Sequence, residues 1–291
     1  MSVAVPITLP PIERAPETPP GIELLPLSPT IGTEVLGIDL RVPLTPQMHA
    51  FLDGLLLARK VIFFRDQEIT PEQHIAFARH WGELLVTPFG SEQHRDFSEI
   101  MLLRNDGTDQ RTNLWHSDGC WRPEPELGSV LRGVLVPDVG GDTLFADMYA
   151  AYEDLPRWLK QAVDGLDAVF SARGIMGLDD PIERLTGIEL KHPPQRHPIV
   201  RTHPRTGRKI IYVNPSYTSH IHGMTFQDSQ YLLDRLYRQT LRPEFQCRFR
   251  WRPNSMAFWD NRACQHYASH DYAGVAPRLM ERVTIAGDRP F

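Results

Sequence analysis

Apolar residues change their spacing several times along this chain, and each change marks an element. Met48, Phe51, Leu52, Leu55 and Leu56 recur at helical spacing, with Thr45-Pro46 as a start signal. Val61-Ile62-Phe63-Phe64 follows as a short apolar strand. Thr70-Pro71-Glu72-Gln73 then opens a second helix: Thr70 can cap it, Pro71 suits the first turn and Gln73 completes a capping box. Gly82 is placed to end it. In the second half, Ile199–His203 and Lys209–Val213 flank a turn containing Gly207, a hairpin signature. Residues 226–239 read as a helix with Leu233, Leu236 and Tyr237 on one stripe. Phe245, Cys247, Phe249 and Trp251 alternate with Gln246, Arg248, Arg250 and Arg252, which is a strand with one buried and one solvated, cationic face. Ser255–Trp259 and Arg278–Ala286 complete the strands. Short strands dominate, so the expected class is mainly β with peripheral helices, a β-sandwich or jelly roll.

Composition adds a boundary. Of 291 residues 26 are proline, and eight of these fall in the first thirty. Such a stretch sustains neither a helix nor a central strand. Residues 1–30 are therefore expected to be a proline-rich N-terminal arm, extended from Met1 to about Pro20, and residues 31–291 a single domain. The formal net charge is −5 and basic runs are short, which argues against nucleic acid as a partner. No apolar run approaches the ~18 residues of a membrane span, and no basic-then-apolar leader opens the chain. Three cysteines without a CxxC pair fit a reducing cytoplasm. A homo-oligomer, dimer or tetramer, is the expected assembly.

Dinucleotide, P-loop, GxSxG and HExxH motifs are absent. What remains is His116-Ser117-Asp118. On a strand these two functional residues would point to the same face and offer adjacent metal ligands. His266, at the end of the apolar run through Trp259, is the candidate third ligand. Two histidines and a carboxylate leave coordination positions open, the arrangement of non-haem Fe(II) oxygenases. Arg278 and Arg282 share one strand face, with Cα atoms roughly 13 Å apart at ~3.3 Å per residue. Val283 and Ile285 lie on the other face, natural core residues to be packed against a second sheet. An interior guanidinium requires an anion, and arginine grips carboxylates with a two-pronged fork.

His116-x-Asp118, the distal His266 in WDNRACQH and Arg278 twelve residues beyond resemble the taurine/2,4-D dioxygenase (TauD/TfdA) family. So do Gly140-Gly141-Asp142-Thr143-Leu144, Tyr149–Tyr152, His197–Pro204 and Glu281–Thr284, and the likeness runs from about Ile31 to Phe291. The resemblance implies a double-stranded β-helix (jelly roll) that uses Fe(II), 2-oxoglutarate and O2. It implies His116, Asp118 and His266 as catalytic metal ligands, with Thr143 and Arg278 holding the far carboxylate of 2-oxoglutarate. Arg282 is implied to lie by the oxoacid and the acidic head of the substrate. Oxidative decarboxylation to succinate and CO2 would accompany hydroxylation of a substrate carbon. Because Asp118 is retained, no halide position opens.

Relatives that act on taurine have a histidine, a tyrosine and an asparagine where this chain has Thr87, Gly90 and Thr112. A small organic anion of aryloxyalkanoate, alkyl sulfate or sulfonate type is the expected substrate. Gly119, Trp121, Tyr217, Phe89 and Thr112 are candidate pocket residues, with Cys120 beside them. Two alternatives stand: an oxygenase tailoring a larger carboxylate-bearing natural product, and a non-catalytic metal-binding jelly roll. His220-Ile221-His222 is expected to be a loop with solvated histidines.

Overall fold

The computed structural model describes residues 15–86, 92–105, 113–175, 182–272 and 277–291. The chain runs through β1 (Glu23–Pro26), β2 (Thr33–Leu36), α1 (Pro46–Arg59), β3 (Val61–Phe64), α2 (Pro71–Arg79), β4 (Leu84–Leu85), β5 (Glu92–Gln93), β6 (Ile100–Asn105) and β7 (Gly128–Leu135). It continues through β8 (Thr143–Asp147), α3 (Met148–Glu153), α4 (Arg157–Val163), β9 (Asp167–Phe170), α5 (Ile182–Lys191), β10 (Gln195–Pro198), β11 (Val200–Thr202), β12 (Lys209–Ile211), β13 (Thr218–Ile221) and α6 (Phe226–Thr240). Strands β14 (Gln246–Phe249), β15 (Met256–Asp260), β16 (Cys264–Ala268) and β17 (Arg278–Ile285) come last.

The local signals act as their chemistry dictates. The Thr45 hydroxyl accepts the Met48 N–H at 3.2 Å and starts α1, whose Phe51, Leu52, Leu55 and Leu56 are buried. Thr70 and Gln73 exchange both bonds of a capping box at the start of α2. That helix stops at Arg79 with His80 as its cap, so Gly82 lies beyond the helix end rather than forming it. Strands β11 and β12 pair antiparallel, with Gly207 at φ 69° in the turn. His220 belongs to β13, and only His222 lies beyond it. The first described part of the arm is also ordered. Glu23–Pro26 forms the edge strand β1, a position where proline's missing N–H costs the sheet nothing.

Nine strands make the large sheet, in the order β1-β2-β3-β15-β7-β17-β6-β5 with β4 also on β17. A three-stranded sheet, β14-β8-β16, faces it. Between them lies a core of Val61, Phe63, Leu131, Trp259 and Met280 from the large sheet and Phe145, Cys247, Phe249 and Cys264 from the small one. The Phe63 and Phe249 rings stack across that gap at 4.0 Å. This is the jelly roll with peripheral helices, its two sheets open at their edges.

Strand β17 shows why alternation matters. Met280 enters the inter-sheet core, while Val283 and Ile285 pack outward with Phe51, Leu52 and Phe77. The outer cover is therefore helices α1 and α2, not the second sheet expected from the alternation. All three cysteines are buried and unpaired.

Candidate active site

His116, Asp118 and His266 converge where β16 meets the loop that precedes β7. The backbones of His116 and His266 form one isolated antiparallel bridge, with N–H to O distances of 3.0 and 2.8 Å. Asp118 is not on a strand, contrary to the same-face expectation. Its N–H donates to the Asn261 side-chain oxygen at 3.1 Å, and Gly119 turns the chain with φ 63°. The turn, rather than a pleat, brings the carboxylate back to the imidazoles. The ligand atoms of the three residues lie within 4.8 Å of one another. Asp118 Oδ1 stands 3.9 Å from His116 Nε2 and 3.8 Å from His266 Nε2, too far for hydrogen bonds and suited to an ion between them.

Neighbours set the state of each ligand. His116 Nδ1 donates to the Leu114 carbonyl at 2.7 Å, so its Nε2 carries a bare lone pair. Burial holds both imidazoles neutral, His266 down to about 3 with the adjacent His116 adding to the effect. Burial alone would raise the Asp118 carboxyl. The facing Arg282, His266 and His116 outweigh it and keep the group well below the usual carboxylate range. Ser129 donates to Asp118 Oδ2 at 3.2 Å and Arg282 Nη1 to Oδ1 at 3.0 Å. Two neutral imidazoles and a fixed carboxylate are the protonation states that metal binding requires. His266 Nδ1 and Arg282 Nε are buried without a hydrogen bond among the described residues.

The two arginines sit on the inner face of β17 as the alternation predicts. Arg278 lies over the Trp251 ring at 5.9 Å, and Trp251 donates its indole N–H to the Thr143 hydroxyl at 2.9 Å. Thr143 and Arg278 thus meet around one tryptophan. Arg278 Nε is buried and unbonded among the described residues, and burial lowers the guanidinium's pKa. A buried cation in this state fits an anionic ligand group.

The remaining expected residues fall in different places. Tyr217 is half-buried and presents its ring edge-on to His116 at 5.9 Å. Gly119 lies directly beneath the Glu126 side chain. Trp121 is buried between His192, 4.9 Å away, and the Arg122 guanidinium at 4.8 Å, on a groove of about 400 Å³. Phe89 and Thr112, like Thr87 and Gly90, lie outside the described residues. Sequence reasoning missed Ser129, Asn261 and Glu126. Asn261 sits inside the WDNRACQH segment, so its neighbourhood was visible though its contact was not. Glu126 carried no signal.

A jelly roll presenting two histidines and a carboxylate inside a buried, cation-flanked pocket defines a non-haem iron oxygenase. Residues 23–284 match the profile of the "Taurine catabolism dioxygenase TauD, TfdA family". The chain belongs to that family. It is 34% identical over 277 residues to the alpha-ketoglutarate-dependent sulfate ester dioxygenase of Pseudomonas putida, covering 92% of this chain and 91% of that one. It is 32% identical over 283 residues to the alpha-ketoglutarate-dependent 2,4-dichlorophenoxyacetate dioxygenase of Cupriavidus pinatubonensis, covering 90% and 97%. The solved structure of a taurine dioxygenase from Burkholderia xenovorans superposes with a TM-score of 0.80 at 36% identity, over 93% of this chain and 91% of that one. The protein is a dioxygenase dependent on Fe(II), 2-oxoglutarate (alpha-ketoglutarate) and O2.

Proposed function

We propose that His116, Asp118 and His266 hold the iron, that Thr143 and Arg278 receive the far carboxylate of 2-oxoglutarate, and that Arg282 receives the head of a small organic anion. Alkyl sulfates, sulfonates and aryloxyalkanoates are the substrate classes, and the products are a hydroxylated substrate, succinate and CO2. The carrying observation is the inner face of β17. It bears the buried Arg278 and the half-buried Arg282, each with a buried Nε that makes no hydrogen bond among the described residues, Arg282 beside the triad and Arg278 four residues away at Trp251.

When bound, iron with 2-oxoglutarate and O2 supplies the oxidation of a substrate C–H bond. The chain supplies geometry. Leu114 orients His116, Ser129 and Arg282 fix the two Asp118 oxygens, and Asn261 holds the turn that delivers them. Arg278 and Thr143 at one end and Arg282 at the other give cosubstrate and substrate distinct anion sites. Gly119, Tyr217 and Trp121, with Phe89 and Thr112, are the proposed walls of the substrate pocket.

We further infer one catalytic domain preceded by the proline-rich arm, a cytoplasmic location and a homo-oligomer with no nucleic-acid or membrane partner. Buried unpaired cysteines and a net charge of −5 support this, and no helix among the described residues is long and apolar enough to cross a membrane.

The test is succinate release with Fe(II), 2-oxoglutarate and O2 against taurine, phenoxyalkanoates, alkyl sulfates and alkanesulfonates. Stimulation by one class names the substrate. No stimulation by any of them overturns the small-anion reading.

A further inference from the structure

Glu126 is buried, 3% exposed, and no hydrogen bond reaches its Oε2 among the described residues. Its nearest cation is Arg122, whose Nε stands 4.0 Å from Oε1 and is likewise without a hydrogen bond there. A buried carboxyl in this state is a burden to the folded chain.

The backbone on either side is nevertheless built to hold it. The Leu127 N–H donates to the Ile285 carbonyl at 3.0 Å, and the Leu127 carbonyl accepts the Asn261 N–H at 2.8 Å. Gly287 lets the end of the chain approach. A Cβ there would stand 2.2 Å from the Pro125 carbonyl oxygen and 2.5 Å from the Leu127 nitrogen. The side chain is accommodated too. A Cβ on Gly119 would meet Glu126 Cγ and Oε1 at 2.9 Å, so this carboxyl lies against the residue next to Asp118, where φ 63° also favours glycine. Arg282 bonds the Asp118 carboxylate at 3.0 Å and the Tyr217 ring stands 5.9 Å from His116, so both border the same triad.

Two polar atoms without a hydrogen bond among the described residues therefore flank Asp118: the Nε of Arg282, whose Nη1 bonds that carboxylate, and the Oε2 of Glu126, whose side chain covers the adjacent Gly119. A plain anion satisfies the first and brings no donor to the second. A ligand with an anionic head and a nearby hydrogen-bond donor satisfies both.

We propose that Glu126 is a specificity residue: it accepts a hydrogen bond from a hydroxyl or ammonium group that the substrate carries close to its anionic head. The proposal deepens the substrate reading above and rests on Arg282 receiving that head.

The test pairs each small sulfonate or sulfate ester with its analogue bearing a hydroxyl or amine. Binding is read by calorimetry on enzyme loaded with Mn(II) and N-oxalylglycine, and turnover by succinate release. The wild-type enzyme is expected to favour the donor-bearing member by about tenfold or more, because a site that leaves a polar group unpaired rejects the analogue lacking the donor. Glu126→Ala should bring that ratio close to one. Glu126→Gln, which keeps an acceptor oxygen but no charge, should retain part of it. The apo Glu126→Ala protein should melt no lower than wild type, because an unpaired buried carboxyl has been removed. Equal binding of both members to the wild type, or a preference that survives Glu126→Ala, overturns the proposal. So does a lower melting temperature with an unchanged ratio, which marks Glu126 as a structural partner of Arg122. Turnover without preference leaves the small-anion reading standing and removes this one. A calorimetric preference without turnover does the reverse.

Discussion

Two buried clusters in this protein use the same three residue types and do opposite work. Around Asp260, every bond is made. Arg262 grips both carboxylate oxygens through Nε and Nη2 at 2.9 Å, and His203 Nε2 donates to Oδ2 at 3.1 Å. His203 Nδ1 in turn accepts the backbone N–H groups of Arg205 and Thr206 at 3.2 Å, so its tautomer is settled. Around Asp118, the two histidines stop at 3.9 and 3.8 Å from the carboxylate, and His266 Nδ1 and Arg282 Nε stay unbonded among the described residues. A closed network of this kind holds the fold in place, while the open one is the proposed seat of an ion and an anion. Residue type and burial do not separate them, and hydrogen-bond closure does. Asp260, Arg262 and His266 even come from one short segment, WDNRACQH.

The sharpest way to break the comparison is to remove one histidine from each cluster. His116→Ala is expected to abolish Mn(II) binding by calorimetry while the apo protein keeps a cooperative melt. His203→Ala is expected to keep the metal site but lower the melting temperature. Equal metal affinity in wild type and His116→Ala would place the ion elsewhere.

Next in size is Asp260→Ala. It strands His203 and leaves Arg262 only Asp288, 3.5 Å from its Nη1, and breaking one partner out of a buried ion pair costs about 3–5 kcal/mol. Urea unfolding measures this. An effect within about 0.5 kcal/mol, the usual range of a surface change, would show that Asp260 closes nothing.

Arg278→Ala sharpens the open side. A charged hydrogen bond contributes about 1.5–3 kcal/mol, which at ~1.4 kcal/mol per tenfold raises the 2-oxoglutarate requirement about ten- to a hundredfold. The substrate KM should move little, since Arg278 sits at Trp251 and Arg282 beside Asp118. An unchanged 2-oxoglutarate requirement would remove Arg278 from the cosubstrate site.

The contrast also explains what was legible in the sequence. Capping boxes and alternation act over a few residues, so α1, α2, the β11–β12 hairpin and the buried face of β14 could be read directly. The triad could be read because several motifs of a known family fall in order. The strand expected through His116 and Asp118 failed for a physical reason. The Asp118 N–H is taken by a side chain, Asn261, 143 residues away, and Gly119 then turns left-handed. Ser129 and Glu126 were invisible because their roles depend on distant loops packing against them. Local pattern records neither which neighbour arrives nor whether a bond closes.

The mildest perturbation is pH, and it reads the open site without a mutation. Burial holds His266 at about 3, and it holds His74 and His197 at about 4. In the unfolded chain the same groups titrate near 6.5. Below that pH the unfolded state binds protons that the folded state refuses. The stability is therefore fully present above about 6.5 and is lost as pH falls towards 4 and then 3. Urea midpoints of the apo protein should drop on going from pH 7.5 to 5.5. Metal affinity should follow only weakly. Two ligands titrating near 6.5 would lose about a hundredfold in affinity by pH 5.5, since each would be about tenfold protonated. Burial keeps His266 neutral across that interval and lowers the pKa of His116, so the Mn(II) dissociation constant should rise by less than about tenfold. A hundredfold weakening at pH 5.5 would mean that the site opens to water before it binds, and that its histidines behave as solvated groups.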